Sequence, residues 1–138
     1  MSLTVEQKLE IHELLSRAAY AYDERDMKML EASFSESASF TMRIAGGDLV
    51  GPFEGREAIM ALMSGSMNDQ TDVRRHVVSN IFFDNNNPET TVVSNLTLMA
   101  TENGVTQLLT TGVYYDTVVE EGGQWCIRQR HIDLDKAY

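Results

Sequence analysis

The sequence predicts an α+β fold in which helices come first and a curved sheet of long, mainly antiparallel strands follows and packs over them. Three observations carry this. Residues 4–23 have the apolar spacing of an amphipathic helix. From residue 73 onward the texture changes to four β-type runs. The breaks between those runs are turn chemistry: Asn85-Asn86-Asn87-Pro88, Asn103-Gly104 and Glu120-Glu121-Gly122-Gly123. Asn-Gly is the strongest of these, because both residues tolerate positive φ.

The elements follow in order. Thr4 with Gln7 forms a capping-box signature that opens the first helix. Its polar face is narrow, comprising Glu6, Glu10, Glu13 and Arg17. At about 100° per residue, Ile11, Leu14, Leu15, Ala18, Ala19 and Tyr22 fall elsewhere on the wheel, with Val5 and Leu9 beyond them. Asp26 is placed to cap a short second helix through Met27, Met29, Leu30 and Phe34. A strand over residues 38–44 follows, and Gly46-Gly47-Asp48 turns the chain. Gly51-Pro52-Phe53-Glu54-Gly55 reads as a second turn before a third helix over 56–63. The four strands are then expected at 74–84, 90–100, 105–119 and 124–133.

One domain over residues 1–138 accommodates all of this, with 43% hydrophobic and 23% charged residues. The net charge of -10 argues against nucleic acid and anionic membranes as partners. No apolar run reaches the length of a bilayer span, and Met1-Ser2-Leu3-Thr4 lacks the features of a secretory leader. A single cysteine, Cys126, forms no internal disulfide and suits a reducing cytoplasm. In the run 74–84, Arg74, His76, Val78, Asn80 and Phe82 share one face and Arg75, Val77, Ser79, Ile81 and Phe83 the other. Both faces are substantially apolar, where a half-exposed sheet alternates. With helices enough for one face only, the outer face is expected to meet another copy, giving a homo-oligomer.

Asp23 is the informative residue. It projects on the side of Val5, Leu9 and Ser16, away from the glutamates. A carboxylate facing an interior needs a partner, and His76 is the candidate. The residues alone leave two readings of His76 open: a rim histidine satisfied by a neighbour, or a general base whose tautomer the carboxylate fixes. Arg130 is either a solvated edge charge or an inward group that binds a substrate carboxylate or a developing oxyanion. Asn95, on the face of Val93, Thr97 and Met99, is either a pocket hydrogen-bond donor or a structural amide. His12, His76 and His131 lack metal-ligand spacing, so no metal is expected. There is no nucleophile elbow and no phosphate-binding glycine loop.

Several fragments, in order, carry a resemblance over nearly the whole chain: Leu14-Leu15-Ser16-Arg17-Ala18-Ala19-Tyr20-Ala21-Tyr22-Asp23, residues 30–34, Gly55-Arg56-Glu57-Ala58-Ile59, Arg75-His76-Val77-Val78-Ser79-Asn80, Gly112-Val113-Tyr114-Tyr115-Asp116 and Gly123-Gln124-Trp125-Cys126-Ile127-Arg128. The chain thereby resembles the SnoaL-like family of the nuclear transport factor two-like fold, which implies a cone of curved sheet closed by helices around an internal pocket. Scytalone dehydratase and hexachlorocyclohexane dehydrochlorinase, on this fold, use a histidine base oriented by an aspartate. The resemblance puts Asp23 and His76 in those roles and Tyr22 and Arg130 at functional positions; with Asn95, read from its strand parity, these are the expected substrate-binding residues. It departs at Ala18, where such enzymes carry a lysine or tyrosine, and at Arg74, where the dehydrochlorinase has a cysteine.

The resulting expectation is a cofactor-independent lyase or isomerase acting on a small apolar cyclic molecule. Its alternative is a non-catalytic ligand-binding protein or structural subunit, like the small subunit of ring-hydroxylating dioxygenases. Hydrolysis through an activated water is a third, less supplied with polar groups.

Overall fold

In the computed structural model, which describes residues 2–138, three helices pack on one face of a six-stranded mixed sheet. Met1, part of the N-terminal stretch read above, lies outside the described residues. Helices α1 (Val5–Glu24) and α2 (Met27–Ala32) lead into β1 (Phe34–Ile44) and β2 (Val50–Glu54). Helix α3 (Arg56–Asn68) then precedes β3 (Val73–Asp84), β4 (Thr91–Glu102), β5 (Val105–Glu121) and β6 (Gln124–Leu134). Among the described residues, no helix is long and apolar enough to cross a membrane.

Local chemistry sets the helix ends. Thr4 Oγ1 accepts from the Gln7 amide at 3.0 Å, and Gln7 Oε1 accepts from the Thr4 amide at 2.9 Å, so the capping box is complete. Arg25 takes a left-handed φ of 57° and closes α1, and Asp26 Oδ1 accepts from the Met29 amide at 3.1 Å to open α2.

Three expectations change here. Phe34 begins β1 instead of ending α2, and the segment read as a turn at 51–55 is mostly the edge strand β2, paired antiparallel with β1. Helix α3 also runs five residues past the expected end.

The sheet order is β2-β1-β6-β5-β4-β3. Every pair is antiparallel except β1 with β6, which run parallel. Strand β4 alternates cleanly: Val92, Ser94, Leu96, Leu98 and Ala100 are buried toward the helices. From α1, Ile11, Leu14, Leu15, Ala18 and Ala21 complete this core. Each fully buried aliphatic side chain contributes about 1.5–3 kcal/mol. Val5 and Leu9, expected near Asp23, are exposed at 76% and 65%, because the N-terminal half of α1 turns that stripe to solvent.

Strand β3 does not keep one parity. Asn80 has a left-handed φ of 54°, and the pairing shifts between Ser79 and Phe82. This bulge sends Ile81 and Phe83 against the core while Phe82, expected on the His76 face, is 57% exposed. The outer face keeps apolar side chains: Val77 and Tyr115 are 47% and 42% exposed.

Candidate functional site

Asp23 stands in the last turn of α1, where the helix dipole disfavours a carboxylate by about 0.3–1 kcal/mol. Its side chain is nevertheless almost fully enclosed, at 6% exposed. Strand β3 packs against this end of the helix and supplies the compensation. Asp23 Oδ1 lies 2.5 Å from His76 Nδ1, and Oδ2 accepts from the His76 backbone N–H at 2.8 Å. A carboxylate accepts only, so in the neutral imidazole the proton sits on Nδ1 and Nε2 carries the free lone pair.

Tyr22 packs edge-on against the His76 ring, centroid to centroid 5.0 Å at 72°. Its hydroxyl donates to Ser66 Oγ at 3.1 Å and accepts from Gln70 Nε2 at 2.6 Å. The end of α3 and the loop after it therefore fix the tyrosine that braces the histidine.

His76 lines a cavity of about 150 Å³ whose remaining walls are largely apolar, including Ala18, Phe34, Phe40, Met63, Leu96 and Ile132. Two larger grooves of about 640 and 630 Å³ flank α2, but neither includes His76 or Arg130, and charged side chains such as Lys28 line both. The cavity beside His76 is the one that joins a proton acceptor to an apolar enclosure. Tyr138, 58% exposed, lines its rim beside Arg74, whose guanidinium lies 5.2 Å from the Tyr138 ring centre.

Arg130 lines the same cavity, but it arrives paired. Its Nε and Nη2 donate to the two oxygens of Asp116 at 2.7 and 3.0 Å, a bidentate contact in which Asp116 is fully buried. The guanidinium also sits 4.2 Å from the centre of the Tyr114 ring. Burial works against its charge, yet Asp116 outweighs burial and raises the Arg130 pKa. Burial likewise pushes the Tyr114 phenol well above its ordinary range, and the charges acting on it include Arg130, Asp116 and Asp23. Tyr114 thus stays a phenol against the Arg130–Asp116 pair.

The structure brings Asp23, His76, Tyr22 and Arg130 together. It does not bring Asn95, which is exposed on the outer face opposite Val113 and Ser79. Its parity is as expected, but the buried face of β4 is that of Ser94 and Leu96, so Asn95 is no pocket donor. Tyr114, Asp116 and Tyr138 escaped the sequence reading. Asp116 gave the same signal as Asp23: an acid two residues from Tyr114 and Val118 on an otherwise apolar strand face. Cys126 is buried in β6 away from this cavity, its thiol pushed up to about 11 by burial and by Glu121. Among the described residues, no cluster of three or more His, Cys, Asp or Glu side chains is arranged to hold a metal ion.

Residues 3–131 match the SnoaL-like domain family. Among curated proteins none matches the sequence. Solved structures do. A protein of unknown function with a cystatin-like fold from Nostoc punctiforme is 24% identical, over 98% of this chain and 96% of that one, with a TM-score of 0.80. ActVI-ORFA from Streptomyces coelicolor is 18% identical over 93% and 96%, with a TM-score of 0.79. A Catenulispora acidiphila protein in complex with S-DNPA is 19% identical over 96% of each chain, with a TM-score of 0.81. At these identities the likeness establishes the fold: an α+β architecture, as expected from the residues, of the cystatin-like kind that the resemblance implied.

Proposed function

The chain belongs to the SnoaL-like domain family, and on that footing we propose that it is a cofactor-independent lyase or isomerase acting on a small apolar cyclic molecule. The observation that carries this is the Asp23–His76 contact at 2.5 Å on the wall of a largely apolar cavity. Asp23 holds the tautomer and stabilises the imidazolium as His76 Nε2 takes a proton from a carbon next to a carbonyl. Arg130 offers N–H groups to the oxygen on which charge develops. A cavity of about 150 Å³ is the size that accepts a single six-membered ring. The S-DNPA complex of the Catenulispora relative is in keeping with a small-molecule pocket on this fold.

Ala18 lines the cavity where related enzymes carry a lysine or tyrosine. A leaving group therefore has no acid at that position, which favours proton transfer or elimination of a group that departs through solvent at the Tyr138 rim. We include in the proposal a homo-oligomer formed through the outer sheet face, where Val77, Phe82 and Tyr115 stand exposed.

The test is exchange at carbon. Single-ring ketones, with and without a β-hydroxyl, are incubated with the protein in D₂O and followed by NMR. Accelerated α-deuteration or elimination that His76→Ala abolishes, while circular dichroism stays unchanged, supports the reading. If no ketone is turned over above background, or His76→Ala retains the rate, general-base catalysis is wrong.

A further inference from the structure

Asp116 has no role in the proton transfer proposed above, yet it is the most enclosed charge in the molecule, at 0% exposed. Both of its oxygens are spent on one partner, Arg130. Among the described residues the guanidinium makes no other hydrogen bond, and Arg130 borders the cavity. What the cavity meets is therefore a rigid N–H donor whose positive charge is already cancelled by the carboxylate behind it.

The local charge count matters for what enters. Asp23 and Asp116 each carry a negative charge, and Arg130 carries one positive. With neutral His76 the shell around the cavity is left at one net negative charge, inside a chain whose own net charge is -10. A carboxylate placed there loses its hydration and gains no uncompensated cation in return. A neutral carbonyl oxygen loses far less water and still finds the Arg130 donor. The bidentate geometry and the Tyr114 ring face fix the guanidinium plane, so Arg130 has no easy way to swing off Asp116 and onto an anion.

We propose that Asp116 is a specificity-determining residue: by neutralising Arg130 it directs this cavity to uncharged single-ring carbonyl compounds and against carboxylates. The inference rests on the proposed function only in taking this cavity as the substrate site. It replaces the expectation that Arg130 binds a substrate carboxylate.

Acetophenone and benzoate share a shape and differ in charge, which makes them the probes. Their dissociation constants are measured at pH 7 by titration NMR on wild type, Asp116→Asn and His76→Ala. Wild type is expected to bind acetophenone at least tenfold more tightly than benzoate. In Asp116→Asn the freed guanidinium is expected to bring that ratio to about one or to invert it, and in His76→Ala the preference is expected to persist. The inference is overturned if wild type binds benzoate as tightly as acetophenone, if it binds neither, or if folded Asp116→Asn keeps the wild-type ratio. The wild-type ratio decides the matter even where Asp116→Asn does not fold. A preference that holds while no ketone is turned over refutes the catalytic reading alone, and turnover without the preference refutes this inference alone.

Discussion

The Asp23 carboxylate grips His76 at two points, the ring through Nδ1 and the main chain through its N–H. The second contact ties the histidine's own backbone to the end of α1. The ring's position is therefore set by helix and strand together rather than by a rotamer alone.

Removing the charge while keeping the shape separates orientation from packing. In Asp23→Asn, the amide oxygen still accepts the His76 backbone N–H, but the imidazolium loses its counter-charge. We expect kcat in the carbon-exchange assay to fall by about 10²–10⁴-fold with the affinity for the neutral acetophenone little changed. An unaltered kcat would reduce Asp23 to a structural clamp.

A glycine on the inner face of β5 is expected to be intolerant. A Cβ at Gly112 would meet the Asp133 carbonyl oxygen at 2.5 Å, across the β5–β6 pairing. Gly112→Ala should lower stability by about 1–3 kcal/mol through overpacking. Gly65→Ala provides the contrast: it lies inside α3 with nothing within 4 Å and should gain about 0.5–1 kcal/mol. Urea denaturation of the two variants checks both signs, and equal effects would contradict the packing argument.

The outer face gives a separate test. In register, Phe82, Val93, Tyr115 and His131 form a row across β3, β4, β5 and β6. Phe82→Glu places a charge at the β3 end of this row, and sedimentation should show the wild-type oligomer shift to monomer. A wild type that sediments as a monomer removes the oligomer from the proposal.

Much of this molecule was legible beforehand because its signals are local. The capping box, the Asp26 cap and the Asn-Gly hairpin depend on residues three apart or fewer, and each formed where expected. The Asp23–His76 pairing was legible for another reason: a carboxylate facing an interior demands a partner, and the resemblance put His76 in that role. What escaped depends on register between distant strands. Nothing near Asn80 announces the bulge that exchanges Phe82 for Ile81 and Phe83. Asp116 meets Arg130 only because β5 and β6 pair with those residues opposite each other. Asn95 was misplaced because its own parity was read correctly while the more apolar set, Val92, Leu96 and Leu98, was not recognised as the inward one.

The parallel pairing of β1 with β6 bears on how this sheet assembles. Thr41 and His131 bond at a sequence separation of 90, and β6 sits between β1 and β5. The β1–β2 hairpin and the β3–β4–β5–β6 meander are therefore two separate rafts until β1 pairs with β6. Closing so long a loop costs chain entropy before the contacts return it. The last strand in the chain order acts as a keystone, and it also carries Arg130. The long-range β1–β6 pairing also brings Phe40 and Met42 to the cavity, opposite Arg130 and Ile132, so that apolar wall is complete only when the two parts of the sheet join.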